Sequence, residues 1–395
     1  MDIVFSYGPD FTGTVQSLVD EFNQQNTSGI NVTYREMPAD TDKYRERLRT
    51  MFRRGGSRID VIAGDIIWPA EFASNGWIAD LSDRLSRRQW EMFLDAPMEA
   101  NTDDVGMVWG VPWHTGVGLL YYRKDLLEES GFTDPPETWD ELKRIALRVK
   151  RASGIRYGHV FQGANYEGGV CNGLEFIWTH GGDVLDSNNE VIINRIEAKN
   201  GLRAERHMVE DGVAPQRVHT YFETEAEQSF LEGRSVFSRN WPGPYGALGE
   251  PGLLSRDQVG VAELPREQGV PQGGGCLGGW NMFINARSAH QDEAWEFIEF
   301  MTDPAQQSRL ATGASLLPTR KELYEDRQLL NDVPILRLSR RALENARPRP
   351  LHPRYSEMSE EMAEQFNLSL RAASVVEGLL GLSGLRRELS NIVGS

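Results

Sequence analysis

Hydrophobic positions along residues 1–110 recur with two different spacings, and each change of spacing marks an element. The run Ile3, Val4, Phe5 in "DIVFSY" predicts a strand, and "TGTVQSLVDEFNQQN" sets Val15, Leu18, Val19 and Phe22 at helical intervals. "INVTYREM" returns to alternation through Val32 and Tyr34 and predicts a second strand. "TDKYRERLRTMFRRGG" then turns Tyr44, Leu48, Met51 and Phe52 to one helical face and ends in glycines. "IDVIAGD" is a short apolar strand closed by an acid, and "WPAEFASNGWIADL" a helix stopped near Gly76. This βαβαβ order predicts a mostly parallel sheet covered by helices on both faces.

Farther on, "VGMVWGVPWHTGVGLLYYRKDLLEESG" predicts two more strands and a helix. The strongest helix signal is "PPETWDELKRIALRVKRASG". Prolines precede it, Thr138 and Glu141 form a T-x-x-E capping box, and Trp139, Leu142, Ile145, Ala146 and Val149 share a face. "DEAWEFIEFMTD" repeats the apolar-faced pattern, and from about residue 320 the tail reads as helical, broken by "RPRPLHPRYSEMS". A chain of 395 residues exceeds one compact core, so two domains are expected. No Gly/Ser linker or internal repeat separates them. The chain is therefore expected to cross between domains more than once, which makes a hinge.

Composition narrows the function. A net charge of −16 without long basic clusters excludes nucleic acid as the expected partner, because neutralising phosphates needs clustered Lys and Arg. No apolar run reaches membrane-spanning length. The start "MDIVFSYGPDF" lacks the basic and apolar regions of a signal peptide and drops straight into a strand. It reads as a start placed on a processed chain. The two cysteines, Cys171 and Cys276, can form one bridge or stay two buried thiols.

Motif chemistry is mostly missing. There is no GxxxxGK[ST], GxSxG, HExxH or strand-following GxGxxG, and the seven histidines have no metal-ligand spacing. No cofactor or metal is expected. "DVLDSNNE" (183–190) reads as a polar turn, lacking the glycine and terminal glutamate of a calcium loop. What stands out is aromatic residues beside turn glycines and prolines: Trp241 in "RNWPGPYG" and Trp280 after Gly278 and Gly279 in "LGGWN". Asp65 ends a strand, where open α/β sheets bind ligands, although it could simply cap the next helix. Arg349 stands between prolines, either as an exposed side chain on a rigid turn or as a ligand contact. Aromatic faces to cover ring C–H groups, with charged groups for hydroxyls, describe a sugar site. A glycoside-active enzyme using Asp65 and a second acid is the rival class.

At these residues the chain resembles the extracellular solute-binding proteins of sugar ABC transporters, in the trehalose/maltose-binding branch. The likeness runs through "DVIAGDIIWPAEFASNGWIADL", "GLLYYRKDLLEESG", "PPETWDEL", "YEGGVC", "RNWPGPYG", "LGGWNMFIN" and "RPRPLHPRYSEMS", all in family order. The resemblance implies an α/β, two-lobed periplasmic-binding-protein fold of type II, maltose-binding-protein-like, with several hinge crossovers. It implies lobes of 1–112 plus 285–320 and 113–284 plus 321–395, with the ligand in the cleft between them. It makes Asp65, Thr41 and Arg45 contacts of the N-terminal lobe, Trp241 and Trp280 stacking aromatics, Gly278 and Gly279 backbone donors, and Arg349 the basic contact of the C-terminal lobe. Where the branch carries an aromatic and then an acid, this chain has His114 and Gly116, so one carboxylate is missing; the N-terminal loop "YGPDFTGT" also lacks the glutamate of the family's contact region, where Asp10 is the substitute. A lost charged hydrogen bond is worth about 1.5–3 kcal/mol, which argues for a ligand other than plain trehalose or maltose. A non-sugar solute such as a glycerophosphodiester or a polyol is the same-class alternative, with His114 and Arg349 contacting a phosphate. The resemblance further implies an extracytoplasmic monomer, periplasmic or lipid-anchored, that delivers a small carbohydrate to an ABC permease. That compartment favours a Cys171–Cys276 bridge.

Overall fold

The computed structural model describes residues 1–54 and 58–394. Its first sheet holds β1 (Asp2–Tyr7), β2 (Asn31–Glu36), β3 (Val61–Asp65), β4 (Val111–Val117), β9 (Leu277–Ile284) and β10 (Leu317–Pro318). The order is β10-β4-β9-β3-β1-β2. The second sheet holds β5 (Leu119–Arg123), β6 (Tyr157–Val160), β7 (Ser235–Asn240) and β8 (Val259–Ala262), in the order β6-β7-β5-β8. β1 pairs in parallel with both β2 and β3, as the βαβαβ pattern predicts. The sheet is nevertheless mixed, because β9 runs antiparallel to β3 and β10 antiparallel to β4. Both strands arrive from far along the chain, so no local pattern announces their direction.

The chain divides into two units. The first contains Met1–Gly116, Gly278–Arg337 and Leu351–Pro353; the second contains Val117–Leu277, Leu338–Pro350 and the residues from Arg354 onward. The expected boundaries move at four places, with 113–116, 278–284, 321–337 and 351–353 all falling in the first unit. Residues 278–284 belong to the first unit, because β9 lays Ile284 to Trp280 against Val61 to Asp65. The segment 321–337 also belongs to the first unit, not the second.

In the first unit the helix Thr14–Gln25 buries Val15, Leu18, Val19 and Phe22, the set its spacing predicts. They join Ile3, Phe5, Trp113, Phe297 and Ile298 in one core. The helix Thr41–Arg53 buries Tyr44, Leu48 and Phe52 on another core with Trp68, Phe72 and Phe283; Met51 is only half-buried. The glycines expected to end this helix, Gly55 and Gly56, lie outside the described residues. In the second unit the helix Trp139–Ser153 buries the five predicted residues, and Thr138 accepts the Glu141 N–H at 3.2 Å. The Glu141 carboxylate reaches one residue beyond the cap, to the Glu137 N–H at 3.1 Å.

At the centre of the second unit lies the helix Glu167–Thr179, all thirteen residues of which are buried. Small residues permit this enclosure: a Cβ on Gly173 would sit 2.3 Å from the Phe366 ring. Burial of so polar a helix requires that its acids be paired, and they are. Glu175 meets Arg239 through two bonds of 2.6 and 2.7 Å, and Glu167 meets Arg349 at 2.7 Å.

Candidate functional site

β1 and β3 run in parallel, and their carboxyl ends bring Tyr7 and Asp65 to one edge of the sheet. β9 adds Trp280 as the residue opposite Asp65. Around this half-buried indole stand four further rings. Tyr7 approaches edge-on at 5.2 Å, Trp68 edge-on at 5.8 Å, Tyr44 lies stacked at 5.8 Å and His114 stacked at 6.5 Å. Each ring is held in turn. Tyr44 donates its hydroxyl to the Ala63 carbonyl at 2.9 Å, and Tyr7 hydrogen-bonds His114 Nε2 at 3.3 Å. Burial pulls the His114 imidazole down to about 3, so it is neutral at physiological pH, and burial raises the Tyr7 phenol. The result is a rigid aromatic wall with neutral hydrogen-bonding tips and one adjacent carboxylate.

The other expected contacts of this unit have definite places. Asp65 Oδ1 accepts the Ile67 N–H at 3.2 Å, fastening the turn after β3; the residue at the N-cap of the following helix is Trp68. Thr41 is half-buried in the first turn of its helix, whereas Arg45 is 3 % exposed and lies 3.8 Å from Glu71. Asp10 accepts the Gln16 N–H at 2.8 Å and the Thr12 hydroxyl at 3.4 Å, so its carboxylate secures its own loop. Gly278 and Gly279 both meet β4. Gly279 has φ +145°, and a Cβ there would come within 2.7 Å of the His114 carbonyl oxygen. Its carbonyl accepts the Ile66 N–H at 3.0 Å, while that of Gly278 accepts the Thr115 hydroxyl at 3.1 Å. The close approach Gly279 allows is to β4.

In the second unit Trp241 follows β7 and is partly exposed. The Arg239 guanidinium covers one indole face, 4.1 Å from the ring centroid, and Glu175 fixes that guanidinium from behind. The indole N–H donates to Glu223 at 3.3 Å, and the Tyr166 hydroxyl donates to the same carboxylate at 2.6 Å. Tyr121 holds the turn by donating to the Trp241 carbonyl at 2.8 Å. Arg349 departs from the reading as an exposed side chain. It is 4 % exposed, neither on an open turn nor projecting into solvent, and it joins a buried set in which Tyr355 and Ser359 also donate to Glu167. Cys171 and Cys276 are free, buried thiols, not a bridge; the neighbouring Cys276 thiol and then burial raise the Cys171 pKa.

Sequence reasoning missed Tyr7, Tyr44, Tyr166, Arg239 and Glu223. Tyr7 had a usable signal, since it ends β1 as Asp65 ends β3. The others carry no local mark. Asp186, in the segment resembling a calcium loop, instead accepts the backbone N–H groups of Asn188 and Glu190 at 2.9 and 3.0 Å, making the expected polar turn. Among the described residues, no group of three or more His, Cys, Asp or Glu side chains is arranged for a metal ion, and no helix is long and apolar enough to cross a membrane.

Residues 8–308 match the bacterial extracellular solute-binding protein family. The chain belongs to that family. It is a binding protein of the ABC transporter class, not an enzyme. A probable ABC transporter-binding protein of Deinococcus radiodurans is 33% identical over 328 residues, 82% of this chain and 77% of that protein. Among solved structures, maltose-bound MalE3 of T. maritima superposes with a TM-score of 0.91 at 34% identity, covering 99% of both chains. A ribitol complex of a solute-binding protein from Agrobacterium radiobacter K84 has the same fold, with a TM-score of 0.88 at 22% identity over 99% of this chain and 98% of that one. The two-lobed α/β architecture of this solute-binding protein is that of the maltose-binding structures.

Proposed function

We propose that this protein captures a small, uncharged carbohydrate, a disaccharide or glucoside, outside the cytoplasmic membrane and delivers it as a monomer to the permease of an ABC importer. Trp280, Tyr7, His114 and Asp65 form the contacts of the first unit, and Trp241 stacks on the ligand from the second. The observation that carries this reading is the ring wall around Trp280 beside Asp65. Such a wall covers sugar C–H faces while the carboxylate takes hydroxyl protons. Ligand contacts to both units would shift the population toward a closed form, which the permease reads.

Gly116 in place of an acid argued against plain trehalose or maltose. A maltose-bound relative at 34% identity returns maltose to the set of candidates. Polyols stay in it as the smaller alternative, given a ribitol-bound relative. A phosphorylated solute loses support, because its two cations are not available. His114 is neutral, and Arg349 is matched by Glu167.

The experiment is a titration of intrinsic tryptophan fluorescence with disaccharides, glucosides, polyols, sugar phosphates and glycerophosphodiesters. A saturable change with a neutral sugar is expected. Silence toward every neutral solute, with a response to a phosphorylated one, would overturn the ligand class.

A further inference from the structure

The resemblance implies an acid where this chain has Gly116, in the first unit, and the sequence offers no carboxylate contact in the second unit. The structure does. Glu223 is half-buried at the start of the helix Glu223–Leu231 and touches the indole N–H edge of Trp241. Tyr166, itself 8 % exposed and packed at 4.5 Å on the Phe222 ring, donates its hydroxyl to the other oxygen of that carboxylate. Arg239 occupies one face of Trp241, so a ligand ring can stack only on the opposite face. A ring placed there has its hydroxyls at the indole edge, where Glu223 stands.

We infer that Glu223 is a specificity-determining residue that supplies the second unit's carboxylate to the ligand, and that it selects uncharged polyhydroxylated solutes over phosphorylated ones. This deepens the reading above and rests on it. Each Glu223 oxygen takes one protein donor, which leaves lone pairs for ligand hydroxyls. Glu227 lies one turn farther along the same helix, its carboxyl raised by burial and by the Glu223 charge. Two acids on this helix face repel a phosphate and accept protons from a sugar. Arg239 does not offset them toward a ligand, because Glu175 already engages it through two bonds.

The test compares wild type, Glu223→Gln and Tyr166→Phe by calorimetric or fluorescence titration with neutral sugars and with sugar phosphates, alongside thermal melts. Loss of a charge-assisted bond predicts that Glu223→Gln weakens neutral-sugar binding about 10-fold or more with an unchanged melt. Tyr166→Phe frees the carboxylate from its anchor and should weaken the same ligand a few-fold; it carries the test if Glu223→Gln does not fold. Neutral-sugar affinity within about 2-fold of wild type in both variants would overturn the inference and leave the proposed function intact. A wild type that binds only phosphorylated solutes, with Glu223→Gln binding them no more tightly, would overturn both.

Discussion

Glu205 is 1 % exposed, and neither of its carboxyl oxygens has a hydrogen-bond partner among the described residues. Burial, reinforced by the nearby Glu175 charge, pushes its pKa from 4.5 to about 8. A carboxyl raised on folding keeps its proton in the native state while the unfolded chain loses it. Stability should therefore fall as pH rises from about 4.5 through about 8, by a few kcal/mol at most on this account. Glu205→Gln should flatten that fall and melt higher than wild type at pH 8–9. Parallel melting profiles for the two proteins across pH 5–9 would show that the carboxyl is not carrying this load. His114 works in the opposite sense for binding. Being neutral down to about 3, it leaves sugar affinity without a histidine step near pH 6.5.

At the scale of elements, β9 does the most to build the ring cluster of the first unit. It crosses from the second unit, pairs with β3, and so brings Trp280 opposite Asp65. Its geometry depends on Gly279, whose φ of +145° and 2.7 Å clearance from the His114 carbonyl leave no room for a side chain. Gly279→Ala should cost on the order of 2 kcal/mol in denaturant unfolding and lower sugar affinity by displacing Trp280. An alanine variant with wild-type stability would mean that β4 yields easily. The helices Thr14–Gln25 and Trp139–Ser153 were legible from spacing and capping alone, because one apolar face and a local cap suffice to define them. The pairing of β9 was not, since β3 and β9 lie more than two hundred residues apart in the chain.

For the whole molecule, the family and the two-lobed α/β class follow from ordered motifs spread along the chain, and the structural relatives bear both out. The thiols are a test of another kind. Native protein should resist maleimide, and denatured, unreduced protein should react at both Cys171 and Cys276. Labelling that waits for a reductant would mean that the neighbouring thiols close a bridge. By itself the sequence determined the helices, the parallel β1–β3 core, the absence of familiar catalytic motifs and the aromatic character of the candidate segments, because these depend on local periodicity and residue type. Tertiary structure alone decided what each candidate touches. It turned Gly279 toward β4, enclosed Arg349 with Glu167, left Trp280 in a wall of rings, and set Glu223 at the edge of Trp241. Those contacts join residues tens to hundreds of positions apart, and a buried charge or ring finds its partner only when the chain has closed around it.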